Sequence, residues 1–219
     1  MKDEVPRRKA ILIVDDEKNI RFTVAHALKS DDIEVDSAAN GVEGLKKLRE
    51  RAYDLVLVDL RMPGMTGLEM LRELQKMASK IPPAVIITAF GIPEQLLEAA
   101  SLGAIDSLRK PFSIQMIRSL ASDILKRFDD QSDSAGTAAH YLRLAKCELM
   151  RRRCREAMQL LERAAQLDLG NAESHMLLGI CTLLNQTGRD EAARHFRTAL
   201  GLDPSNKNAA EYLAWLGRQ

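Results

Sequence analysis

Short, uninterrupted apolar runs separated by longer stretches of helical period constrain this chain more than any other feature. The runs fall at residues 10–14, 33–37, 55–58, 84–87 and 105–108. Two of them, ILIV and LVLV, show no polar alternation, which suits strands covered on both faces. Between the runs, apolar residues recur at helical spacing, as at Ile20, Val24, Ala27 and Leu28, or at Leu68, Leu71 and Leu74. Strand-plus-helix units in this order predict an α/β fold, a doubly wound five-stranded parallel sheet. In such folds ligand chemistry collects at the carboxyl ends of the strands.

The texture changes after residue 128. Residues 129–137 read DDQSDSAGT, polar and without a hydrophobic period, and are expected to be a linker. Residues 138–219 show only helical patterning, so an all-α helical-repeat domain is expected there, with residues 1–9 as an N-terminal tail. Two helix-pair units align when Tyr141, Leu144, Ala145, Ala157, Leu161 and Ala164 are laid over His175, Leu178, Gly179, Ala192, Phe196 and Ala199. They start near Ala138 and Ala172, about 34 residues apart. Asp203-Pro204 ends the second unit, and residues 207–216 read as a single capping helix. The second unit resembles a tetratricopeptide repeat at Leu178, Gly179, Ala192, Phe196, Ala199 and Pro204. The first departs from that pattern at Ala145 and Leu169.

The strand ends carry the chemistry. Asp15 and Asp16 follow the first run, Asp59 the third, Thr88 the fourth and Lys110 the fifth. In a parallel sheet these ends face one way, so the side chains can converge. Carboxylates gathered there repel one another unless a cation sits among them, and a hard divalent cation such as Mg²⁺ matches their oxygen donors. A metal, an ammonium and a hydroxyl together suit the oxygens of a phosphoryl group in transfer. A central carboxylate can then act as nucleophile and form an aspartyl phosphate.

Four motifs at these ends, ILIVDDE (residues 11–17), LVDLRMPGMTG (57–67), ITAFG (87–91) and KPF (110–112), resemble a response-regulator receiver domain across residues 10–128. The resemblance implies a flavodoxin-like fold and a phosphoacceptor signalling protein rather than an enzyme, with self-phosphorylation and slow self-dephosphorylation. It implies that Asp59 is the phosphoacceptor. Asp16 and Asp59 would hold Mg²⁺ directly with the backbone carbonyl of Arg61, and Asp15 through water. Lys110 would bridge to the phosphoryl group and Thr88 would be the switch hydroxyl. A cis Lys110-Pro111 peptide is implied, and Gly64 and Gly67 are expected to shape the turn after Asp59 with positive φ. Ser107 is a departure, since the family carries an aromatic there. Phe90, just after Thr88, is a candidate substitute. The implied partners are a sensor histidine kinase or phosphotransfer protein, with an unknown protein docking on the helical repeats.

The formal net charge is +1 and aromatics are 4% of the chain, with one Trp. This balance argues against nucleic-acid binding through bulk charge or base stacking. Direct DNA binding through the cluster Arg151, Arg152, Arg153 and Arg155 stays open as an alternative output, as does a receiver that is not phosphorylated and serves as a scaffold. The arginines are otherwise expected on the solvated turn of a helix hairpin. No run is long enough for a signal peptide or membrane span, so a cytoplasmic location without membrane contact is expected. Cys147, Cys154 and Cys181 form no CxxC pair and are expected to be buried thiols. His26, His140, His175 and His195 lack metal-ligand spacing.

Overall fold

The computed structural model describes residues 7–77, 81–89, 92–129, 136–186 and 188–218. The expected linker lies mostly outside them, as do Phe90, Gly91 and residues 1–6 of the expected tail. Closeness of residues in space divides the chain into two compact units, Met1–Gly91 with Asp106–Asp129, and Ile92–Ile105 with Asp130–Gln219.

The strands are β1 (Lys9–Val14), β2 (Ile33–Ala38), β3 (Leu55–Val58), β4 (Ala84–Thr88) and β5 (Ala104–Arg109). They form one sheet in the order β2-β1-β3-β4-β5. β1 runs parallel to both β2 and β3, and β3 runs parallel to β4. The expected α/β parallel sheet is therefore present. β3 at the centre and β1 beside it are buried at nearly every position, the condition that makes continuous apolar runs favourable. Edge strand β2 is more open, with Glu34 and Ser37 exposed to solvent and Asp36 half-buried.

Helices α1 (Lys18–Leu28), α2 (Gly41–Glu50), α3 (Gly67–Met77), α4 (Pro93–Ser101) and α5 (Ile114–Asp129) connect or follow the strands. α1 buries Val24, Ala27 and Leu28 as its spacing predicts. In α3 the buried stripe is Gly67, Met70, Leu71 and Leu74, the i, i+3, i+4, i+7 pattern of one helical face. Leu68, expected in that stripe, is only half-buried, and Met70 takes its place. α2 starts at Asn40, whose side chain accepts from the Glu43 backbone N–H. α3 starts with a capping box: Thr66 N–H donates to Glu69 Oε2 at 2.8 Å, and Glu69 N–H donates back to Thr66 Oγ1.

The C-terminal region is helical: α6 (Ala138–Met150), α7 (Cys154–Leu167), α8 (Ala172–Leu184), α9 (Arg189–Leu202) and α10 (Lys207–Leu216). Each packs on the next in chain order. Ala157, Leu161 and Ala164 of α7 and Ala192, Phe196 and Ala199 of α9 are fully buried. The Phe196 ring stacks on Tyr212, centroids 4.8 Å apart. At Gly179 the space is filled by that same ring, which would stand 2.6 Å from an added Cβ. Of the cysteines only Cys181 is buried, a correction to the expectation for all three. Cys147 and Cys154 lie at the ends of α6 and α7, where the hairpin turn admits solvent.

The Nδ1 atoms of His175 and His195 face each other across α8 and α9 at 3.3 Å. Burial lowers both imidazole pKa values below the ordinary 6.5, and the His175 ring adds to the lowering at His195. The unfolded chain therefore takes up these protons before the folded one. Stability is present above about pH 6.5 and is lost as the pH falls through the lowered values. The thermal midpoint should drop between pH 7.5 and 5.5, and a His175→Gln/His195→Gln variant should show a smaller drop over the same interval. An identical drop in the variant would contradict this assignment.

Candidate functional site

The carboxyl ends of the strands lie where the backbone ladder holds them. Asp59 N–H donates to Val14 C=O at 2.8 Å and Asp15 N–H to Ala38 C=O at 3.1 Å, so each residue continues its strand by one step. Lys110 N–H donates to Thr88 C=O at 2.9 Å, bringing the ends of β4 and β5 together. The Lys110-Pro111 peptide is cis.

Lys110 Nζ is the cation at the centre. It stands 2.7 Å from Asp59 Oδ2, 2.8 Å from Asp15 Oδ2 and 3.0 Å from Glu17 Oε1. Its side chain is only 8% exposed, beside Asp15 at 2% and Asp59 at 7%. Burial disfavours the ammonium, but its pairing with Asp15, Asp59 and Glu17 outweighs this and holds the Lys110 pKa above its ordinary value. Burial raises the Asp15 pKa despite help from Lys110 and from the Glu17 backbone N–H, which donates to Asp15 Oδ1 at 2.8 Å. Asp59 Oδ1 accepts from the Arg61 backbone N–H at 3.2 Å. Thr88 is buried at the end of β4, and Ser107 is half-buried in β5.

Among the described residues, the carboxylates that gather here are Asp15, Glu17 and Asp59, one oxygen of each within 4.8 Å of the others. Asp16, the expected direct ligand, is outside this set and is exposed. Its backbone C=O accepts from Arg21, as does that of Asp15. Glu17 was missed as a site residue although it stands in the same motif. No local signal marked it, since β1 ends at Val14 and the partner that draws Glu17 in, Lys110, stands 93 residues away.

The donor set fits a hard divalent cation. Asp15 Oδ2 is buried and accepts no hydrogen bond of regular geometry, although it is ion-paired with Lys110. Such an oxygen beside a second carboxylate is the donor that Mg²⁺ takes.

Gly64 has φ of 76°, as expected of the turn after Asp59. Gly67 does not, since its backbone begins α3, and the requirement there is space. A Cβ at residue 67 would lie 2.1 Å from the Asp59 carbonyl oxygen.

Residues 11–122, about half of the chain, match the response regulator receiver domain. Sporulation initiation phosphotransferase F of Bacillus subtilis is 35% identical over 118 residues, covering 54% of this chain and 91% of that protein. The uncharacterized transcriptional regulatory protein YkoG of the same organism is 34% identical over 131 residues, covering 60% of this chain and 57% of that protein. This chain therefore spans little more than half the length of such curated regulators. Among solved structures, the chemotaxis response regulator CheY4 of Vibrio cholerae is 33% identical with a TM-score of 0.50, covering 53% of this chain and 98% of that one. A CheY-like receiver domain protein from Methanospirillum hungatei has a TM-score of 0.53 at 27% identity, covering 56% of this chain and 97% of that one. The chain belongs to the response regulator receiver domain family.

Proposed function

We propose that the protein is a two-component response regulator that accepts a phosphoryl group on Asp59 from a histidine kinase or phosphotransfer protein. The observation that carries this reading is the meeting of strand-end residues around Lys110, with Asp59 and Asp15 both within 2.8 Å of its ammonium. A carboxylate oxygen of Asp59 attacks the phosphorus of a phosphohistidine. The P–N bond breaks as the P–O bond forms, and the imidazole leaves and takes up a proton. Lys110 follows the developing charge onto the phosphoryl oxygens, and Thr88 offers its hydroxyl to the same group. Asp15 and Asp59, with the Arg61 carbonyl and either Asp16 or Glu17, would hold Mg²⁺. When bound, the ion neutralises phosphoryl charge.

Residues 138–219 then act by docking another protein. Support comes from the row of consecutively packed helices and from Gly179 seated against Phe196 of the second repeat unit. Arg151 and Arg153 both pair with Glu148 at the α6–α7 turn, which fits a hairpin end better than a DNA contact. No helix among the described residues is long and apolar enough to cross a membrane.

Acetyl phosphate with Mg²⁺ should add the mass of one phosphoryl group to the wild-type chain and none to Asp59→Asn. Labelling of both chains, or of neither, would remove the proposed chemistry.

A further inference from the structure

The second compact unit contains α4 together with α6–α10. Within it α4 packs on α6, α8 and α10. These are alternate members of a row in which each helix packs on the next, so they share one side of the row. The α4 residues turned toward them are Glu94, Leu97 and Ser101. Trp215 Nε1 of α10 donates to Glu94 Oε1. Leu97 lines a cavity with Leu183 and Trp215, and Ser101 lines another with Cys154 and Leu184. The spacing i, i+3, i+7 is a single helical stripe. The buried stripe of α4, Pro93, Leu96 and Ala99, lies on a different side of the helix.

We propose that the side formed by α6, α8 and α10 is a helix-binding surface whose built-in occupant is α4. Its outside partner is an acidic amphipathic helix presenting a carboxylate, a leucine and a small residue along one stripe. The choice of an acidic helix follows from charge. α4, PEQLLEAAS, has two glutamates and no lysine or arginine. The Arg189 guanidinium lies over the Trp215 ring, 5.5 Å from its centroid, at the Glu94 end. Arg152 and Arg155 line the cavity at the Ser101 end.

Open flanks make the occupant exchangeable. The cleft at Leu97 is about 290 Å³ and the one at Ser101 about 460 Å³. Both open onto solvent, so a competing side chain can enter beside α4. A partner helix with better side-chain fill competes with α4 for the same side.

This proposal rests on reading α6–α10 as a protein-docking region, and its test uses no phosphoryl donor, so it stands or falls apart from labelling at Asp59. The chain has one tryptophan, placed at the contact, so its emission reports whether α4 is seated. In the full-length chain, Leu97→Lys sets a cation beside Arg189 and should increase iodide quenching of Trp215. A fluorescein-labelled synthetic peptide of residues 92–102 should bind that variant about ten-fold more tightly than wild type, the factor expected when a tenth of the wild-type population is open. Glu94→Gln/Glu98→Gln should shift both readouts the same way and serves as the second variant if Leu97→Lys loses helix by circular dichroism. Quenching equal to wild type in a folded variant overturns the proposal. Peptide binding that is equal across the chains, or absent from all, overturns it as well.

Discussion

Gly67→Ala should unfold the receiver fold more easily by about 3 kcal/mol and abolish phosphoryl labelling at Asp59. Helix propensity alone favours alanine over glycine by up to about 1 kcal/mol at an interior position, and less in the first turn. Opposing it, the new methyl would stand 2.1 Å from the Asp59 carbonyl oxygen and 3.0 Å from Leu60 Cα. Both neighbours are backbone, so no rotamer change relieves the overlap. Overpacking against side chains costs roughly 1–3 kcal/mol and more where nothing can yield. The clash wins, and relief requires the loop after β3 to shift, carrying Asp59 away from Lys110. Gly64→Ala is the contrast, since no atom lies within 4 Å of its added Cβ. It should cost only about 1–2 kcal/mol, from its φ of 76°. Chemical denaturation with acetyl phosphate labelling measures both effects. A Gly67→Ala chain as stable as wild type would show that the loop is more yielding than its packing implies.

Glu173→Ala should destabilise the C-terminal helices by about 3 kcal/mol, whereas Lys146→Met should cost far less. Lys146 is 1% exposed in α6, and its ammonium is paired with Glu173 in the first turn of α8. Removing the carboxylate leaves a buried charge short of a partner, which costs roughly 3–5 kcal/mol in a fully buried pair. Glu173 keeps a third of its side chain in solvent, so the lower end applies. Methionine at 146 keeps the volume of the lysine stem and removes the charge. The double variant Lys146→Met/Glu173→Ala should therefore recover most of the loss. Thermal melts followed by helical circular dichroism give the comparison, and a double variant no better than Glu173→Ala would refute the buried-charge account.

Much of the fold could be read along the chain because its signals are local. ILIV and LVLV became buried strands, and the acids and the lysine fell at strand ends because chain order places them there. Helix α10 spans the residues expected for a capping helix, with Asn206 accepting from the Ala209 N–H to start it. Less legible was which of two apolar neighbours turns inward. Leu68 and Met70 both fit a helical period, and only the phase set by Gly67 against the Asp59 loop chose Met70.

The amino-acid order by itself determined the alternation of strand and helix, the parallel sheet, and the ends at which Asp15, Asp59, Thr88 and Lys110 stand. Each of these follows from periodicity or from direct succession along the backbone. Tertiary structure decided that Glu17 rather than Asp16 joins Lys110, that Lys146 is interior, and that α4 lies with α6, α8 and α10. Those outcomes depend on partners tens of residues away, whose approach is set by the packing of whole elements and leaves no mark in the local pattern.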